Sequence, residues 1–358
     1  RPPPPPFFFQ PDAAKGDSVA SRVLGDVYKR QVANGRHWSQ QNQIFYNDGK
    51  GFFRRSRPLG SEQNTTYQVP LADIDNDGDL DIIVANDRIE NQVFKNDGDG
   101  NFTFDHYFGM KESNTRGLCI TDLNQDGFVD IVVANRKSQN YIYFNNSKGY
   151  FSKGKPFGNS DEATINIASA DLNQDGHIDL VLANRNAQPN KIYFGPNFEQ
   201  SFLFGENNNE TRGVAIEDMN QDGFLDIIAV NIGDKNRIYF GNGSGKFARS
   251  IFFGKTSDAT MAVIIGDLDN DGDLDIVAGN NNQKNQYFIN NGDEFAAFQF
   301  GESSSISYGV TLGDFSGNGK LDLIVSNSGS RNIVYLSLIH ISEPTRRYAI
   351  SYAVLCLK

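Results

Sequence analysis

Along this chain apolar residues gather in short runs that Gly, Asn, Asp and Ser cut off before a helix could turn twice. Residues 212–253 show the pattern: RGVAIED, an acidic loop, LDIIAVN, a polar loop, RIYFGN, a Gly-Ser-Gly turn and FARSIFF. Runs of this length, rich in Val, Ile, Phe and Tyr and bounded by turn residues, predict strands. The third and fourth runs are joined by Asn47-Asp48-Gly49, Asn96-Asp97-Gly98, Gly241-Asn242-Gly243 or Asn290-Asn291-Gly292, residues that accept the positive φ of tight hairpins. Helical periodicity is absent, so the predicted class is all-β.

The pattern repeats. A nine-residue acidic motif begins at Asp73, Asp122, Asp171, Asp218, Asp267 and Asp314, at intervals of 49, 49, 47, 49 and 47. A Phe-Gly marker ending at Gly109, Gly158, Gly205, Gly254 and Gly301 keeps the same phase. Each period holds four antiparallel strands, and one such small sheet cannot bury both of its faces. Stacking the sheets radially does bury them, which predicts a β-propeller of four-stranded blades. The repeat region begins inside a unit, at VANGRHWSQQNQIFYNDGKGFF, and stops after the third strand of the sixth acidic-loop unit. Two closures satisfy this count of about six repeats: six blades completed by an N-terminal strand, or a ring clipped from a seven-bladed parent.

Both ends break the pattern. Residues 1–31 open on Arg1, five prolines and Phe7-Phe8-Phe9, and 337–358 read SLIHISEPTRRYAISYAVLCLK. Both strings resemble translated sequencing-adapter read-through and are set aside as a non-native or disordered leader and a non-native tail, leaving 32–336 as the propeller domain. The whole chain carries a net charge of −11. The ends hold 8 of its 33 Lys and Arg and 4 of its 44 Asp and Glu, so residues 32–336 carry −15. An acidic surface excludes a phosphate-binding nucleic-acid protein and favours cations. No apolar run is long enough for a membrane span. Of the two cysteines, Cys119 lies in an apolar run as a small core residue and Cys356 lies in the tail, so no disulfide framework or C-x-x-C site exists.

The motif D-x-[DN]-x-D-G-x-x-D puts oxygen side chains at positions 1, 3, 5 and 9, with a Gly at position 6 for a sharp turn. The side-chain donors are Asp73, Asp75, Asp77 and Asp81; Asp122, Asn124, Asp126 and Asp130; Asp171, Asn173, Asp175 and Asp179; Asp218, Asn220, Asp222 and Asp226; and Asp267, Asp269, Asp271 and Asp275. Position 7, occupied by Asp79, Phe128, His177, Phe224 and Asp273, is too varied for a side-chain ligand and offers its backbone carbonyl instead. Alternating hard oxygens around a turn suit Ca²⁺, whereas Mg²⁺ prefers a smaller octahedron and keeps its waters. An EF-hand is excluded, because position 12 is apolar in every copy and the flanks are strands. The sixth copy, with Asp314, Ser316, Asn318 and Asp322, keeps two carboxylates. About five Ca²⁺ ions are therefore expected, with the sixth loop undecided. Carboxylates about 4 Å apart repel by about 4 kcal/mol per pair at an effective dielectric of 20, so a loop without a cation is expected to be loose, and neutralisation becomes part of folding.

These two markers in phase resemble the FG-GAP/VCBS repeat family, the blades of integrin-α-like propellers, over residues 32–336. The resemblance implies a propeller, most often of seven blades, with Ca²⁺ in the loops between strands one and two. It also implies an extracellular or cell-surface location and a role in adhesion, in ligand binding or as a non-catalytic module of a larger protein. A protein or glycan partner is expected on the face opposite the calcium loops, where each loop between strands two and three carries a base: Arg88, Arg136, Arg185, Lys235, Lys284 or Arg331, with Arg116 and Arg212 nearby. The Asn ending each second strand (Asn86, Asn135, Asn184, Asn231, Asn280, Asn327) is read as a turn cap. A lectin is the alternative, though Trp38 is the single tryptophan, and a scaffold within a secreted enzyme is another. No catalytic grouping can be assembled: His37, His106 and His177 fall in unrelated phases of the repeat, so the chain is expected not to be an enzyme. Sequons at Asn64, Asn101, Asn145, Asn209 and Asn242 leave glycosylation open.

Overall fold

The computed structural model describes residues 29–32 and 39–337, other than 152, 206–209, 256, 257, 293 and 304. His37, Trp38, Asn209 and most of both set-aside ends lie outside the described residues. The described residues are all β, and no helix among them is long and apolar enough to cross a membrane.

Six sheets form blades 1 to 6 of a β-propeller, at 66–108, 115–157, 164–204, 211–253, 260–300 and 306–335. Blades 2 to 5 are four-stranded antiparallel meanders. The first strand of blade 1 is split into Thr66–Gln68 and Leu71–Ala72, and blade 6 has three strands. First strands of consecutive blades contact one another and so line the axis. Second strands such as Asp81–Asn86 and Asp179–Asn184 are buried along their whole length, which is why they read as unbroken apolar runs: each is covered by a neighbouring blade on both faces.

The Phe-Gly marker has a packing role. Phe108, Phe157, Phe204, Phe253 and Phe300 end the fourth strands and are buried. Each ring meets an aromatic on the third strand of the next blade edge-on, namely Tyr143, Tyr193, Tyr239, Phe288 and Tyr335, at centroid separations of 5.1–5.6 Å. The Gly that follows turns the chain at positive φ, 91° at Gly109 for example, where other residues are strained.

A partial three-stranded sheet, Lys29–Val32, Gln40–Tyr46 and Arg55–Asn64, stands between blade 6 and blade 1. Its first strand begins at Lys29, three residues inside the leader drawn from the sequence, since pairing with the main chain of Gln43–Tyr46 asks little of side chains. Asn47 donates to Phe315 O of blade 6 at 2.8 Å, as Asn145 donates from blade 2 to Ile74 O of blade 1 and Asn290 from blade 5 to Met219 O of blade 4. On its other side Asn42 donates to Thr66 of blade 1 at 3.0 Å, as Asn190 does to Thr211 and Asn236 to Thr260. The partial sheet thus makes the contacts of a blade with both neighbours. Of the two closures the sequence allowed, the described residues hold six loop-bearing blades and a partial sheet in the seventh place.

Candidate metal centres

Each acidic loop joins the end of a first strand to the start of a second, so the six loops share one face. The turn is set by two residues. Gly78, Gly127, Gly176, Gly223, Gly272 and Gly319 at position 6 have φ between 76° and 97°. At position 4, Asn76, Gln125, Gln174, Gln221 and Asn270 also take positive φ. Four of these side chains then reach across the blade boundary: Asn76 donates to Gly127 O at 3.0 Å, Gln174 to Gly223 O at 3.3 Å, Gln221 to Gly272 O at 3.1 Å, and Gln125 to Gly176 O. Sequence reading passed over position 4, although an amide there in five copies was a visible signal.

The carboxylates are held by main-chain N–H groups. Asp73 accepts from Asp77 N and Gly78 N at 3.1 and 2.9 Å, and Asp122, Asp171, Asp218 and Asp314 repeat the pair. Position 5 accepts from the N–H of position 7 in every loop. Position 9 is buried: Asp81 accepts from Ile74 N and Asn96 N, pinning the loop to the third strand. These bonds tether the loop and offset part of the repulsion expected from sequence. Burial pushes the Asp81 carboxyl up to about 7 and those of Asp130, Asp179, Asp226 and Asp275 up to about 6, despite the N–H bonds they accept.

Within this shared frame the loops differ. In the first, carboxylate oxygens of Asp73, Asp75 and Asp81 lie within 4.8 Å of one another, and in the fifth those of Asp267, Asp269 and Asp275 do the same. Buried oxygens there, Asp75 Oδ1, Asp267 Oδ1 and Asp269 Oδ1, accept no hydrogen bond. Clustered carboxylates with open lone pairs fit a hard divalent cation. In loops two to four the third position is an amide turned inward: Asn124, Asn173 and Asn220 each donate to the position-5 carboxylate at 3.0 Å. Position 5 itself, Asp77 and Asp271 included, stands outside both three-carboxylate groups. At position 7, Asp273 Oδ1 accepts from Gln221 Nε2 at 2.7 Å. The sixth loop keeps Asp314 and Asp322, and Asp322 accepts from Phe315 N and Ser316 N at 2.9 and 2.8 Å. One side chain that sequence reading missed is Lys95, whose Nζ lies 2.8 Å from Asp75 Oδ2.

On the opposite face the predicted bases do not form one ring. Arg88, Lys284 and Arg331 are exposed, and Lys235 leans outward over the Phe252 ring. Arg136 and Arg185 turn toward the first strands. Arg185 Nε pairs with Glu210 at 2.8 Å, and Arg116 Nη1 lies 2.7 Å from Asp87 Oδ1 and 4.0 Å above the Tyr67 ring. The recurring Asn residues do cap: Asn86, Asn135, Asn184, Asn231, Asn280 and Asn327 each donate from Nδ2 to a main-chain carbonyl four or five residues on. The sequon residue Asn145 is buried and bonded to Ile74 O and Val129 O, so in the folded chain it is closed to glycosylation. Cys119 is half-buried against the core and donates to Ser169 at 3.0 Å.

The repeats define the class: a β-propeller of acidic-loop blades. The model of the FG-GAP-like repeat matches residues 32–84, 73–133, 122–182, 171–229, 218–278 and 267–325, and the chain belongs to that family. No curated protein matches it in sequence. Among solved structures it is similar to two crystals of BBS1N in complex with ARL6DN. The lead-soaked crystal gives a TM-score of 0.53 at 11% identity over 80% of this chain and 85% of that one. The mercury-soaked crystal gives 0.52 at 15% identity over 81% and 88%.

Proposed function

We propose that this chain is a calcium-stabilised propeller that binds a protein partner outside the cell, with the ions in the acidic loops and the partner on the opposite face. The observation that carries the calcium reading is the pair of three-carboxylate groups at Asp73, Asp75, Asp81 and Asp267, Asp269, Asp275, with buried oxygens left open. Sites of this kind in extracellular modules bind with Kd of about 0.1–1 mM, which suits a calcium-rich exterior. A protein partner, rather than a glycan, is supported by the propeller of the same fold crystallised with one, BBS1N with ARL6DN. The proposed role of the ions is structural, and no catalytic role is assigned.

Thermal unfolding of the full chain in about 10 mM Ca²⁺ and after chelation, beside metal counting, tests this reading. Each occupied site adds about 1.4–2.7 kcal/mol at that concentration, so a large calcium-dependent rise with at least two bound ions is expected. No rise and no bound metal would leave the loops as solvated turns.

A further inference from the structure

On the face away from the acidic loops, three consecutive blade junctions each hold an arginine against a neighbouring side chain, and Arg212 stands at the bulge in the first strand of blade 4. Between blades 1 and 2, Arg116 faces Asp87. Between blades 3 and 4, Arg185 faces Glu210. Between blades 2 and 3, Arg136 has only an amide: Nη2 donates to Asn186 Oδ1 at 3.2 Å, while its Nε is buried without a hydrogen-bond partner. No carboxylate pairs with Arg136 among the described residues.

Register explains how these groups meet. The first strand of every blade is offset against its second strand just after its Thr or Ser, so one residue is left out of the pairing: Tyr67, Arg116, Ile165, Arg212, Met261 or Tyr308. Bulges re-aim side chains, and these positions all lie at the same end of the axis. Tyr67 and Arg116 stack there. Burial, then the charges of Arg185 and Arg116, hold the Arg136 guanidinium below its ordinary range, as for a cation that lacks a counterion.

We infer that Arg136, flanked by Arg116 and Arg185, is the receiving site for a carboxylate of the protein partner, an Asp or Glu side chain seated at the axis on this face. Of Arg116, Arg136 and Arg185, Arg136 alone has no carboxylate among the described residues, so a single carboxylate from the partner completes the row. The planar fork of Arg presents paired N–H groups to a carboxylate. The site rests on the protein-binding reading above and gives it a location and a ligand chemistry.

Capped Gly-Ser-X-Ser-Gly peptides, with X as Asp, Asn or phosphoserine, are titrated into the full chain in calcium, following the arginine Nε–H resonances by NMR. The Asp peptide is expected to shift the Arg136 signal saturably, and the Asn peptide to leave it unmoved. R136Q should weaken the Asp peptide by about tenfold or more, the loss of a charged hydrogen-bond partner, with R136K in between and R88Q like wild type. R136Q removes a charge from between two others, so its unfolding temperature should not fall. Equal response to Asn, preference for phosphoserine, no response to Asp, or full binding by R136Q would each overturn the site. The protein-binding reading stands or falls separately, on whether the wild-type chain captures a partner from an array of secreted ectodomains.

Discussion

The two ends of this propeller solve the same problem differently. At the end away from the acidic loops, a buried belt of neutral groups runs from blade to blade. Thr211 Oγ1 donates to Asn231 Oδ1 at 2.8 Å and accepts from Asn190 Nδ2 of the preceding blade at 2.9 Å. Asn231 N in turn donates to Asn236 Oδ1, whose amide donates to Thr260 of the next blade. At the other end the repeated groups are carboxylates, and in loops one and five oxygens remain open. Amides and hydroxyls each both donate and accept, so a belt of them can satisfy itself, as it does around Thr211, although Asn184 Oδ1 and Asn280 Oδ1 in blades 3 and 5 have no hydrogen-bond partner. Ionised carboxylates only accept, so a cluster of them needs donors or a cation from outside. The difference teaches where stability is intrinsic and where it is conditional on solution.

The sharpest break of that contrast is Thr211→Val. It keeps shape and removes the hydroxyl, leaving Asn190 Nδ2 and Asn231 Oδ1 buried and unpartnered. A loss of about 2–4 kcal/mol is expected, equal in calcium and in chelator, because the belt contains no ion. Denaturant unfolding under both conditions measures it. A loss seen in chelator alone would mean that the two ends are not independent.

A second test acts on the acidic end through pH. The carboxyls of Asp81, Asp130, Asp179, Asp226 and Asp275 sit at about 6 to about 7 when folded, against about 3.9 unfolded. The native state therefore binds the extra protons between these values, and their contribution is present below about pH 4 and lost as pH rises to about 7. Glu62 and Glu210, whose carboxyls are held low, act in the opposite sense but are fewer. Metal-free protein should accordingly unfold at lower temperature at pH 7 than at pH 5, and calcium should remove or reverse that trend. A flat or rising metal-free profile over this range would contradict it.

Much of this was legible in the chain. The strands, the loops and the phase of the repeat follow from local signals: second strands such as DIIVAN and DLVLAN, the Gly at position 6, and Phe-Gly at a fixed distance. The Asn caps were legible too, because a cap bonds within five residues. Partners across a blade boundary were not. Thr66, Thr164, Thr211 and Thr260 recur visibly, yet only the ring places each against the Asn of the sheet before. Arg136 and Lys235 read alike as loop bases, but the one turns to the axis and the other to Phe252. Asn145 satisfies a sequon and is nevertheless sealed by Ile74, 71 residues away. Such outcomes depend on which side chain the neighbouring blade presents, information spread over a full repeat.

The finest test separates the two loops that look most alike. Both hold three clustered carboxylates, but in the first loop Lys95 reaches Asp75 Oδ2 at 2.8 Å and also donates to Lys148 O of blade 2. The equivalent third-strand position of blade 5 is Ile289, partly buried against the core. Lys95 already supplies one positive charge to the first loop, so a cation must displace or tolerate it, and the first loop should bind calcium more weakly than the fifth. Lys95→Ile copies the fifth loop. A half-exposed ion pair is worth up to about 1 kcal/mol, so the substitution should tighten the first site by about threefold to fivefold and draw two classes of calcium affinity toward one. Calorimetric titration reads this directly. An unchanged or weakened first site would mean that the ammonium assists the cluster rather than competing for it, and the ranking of the two loops would be reversed.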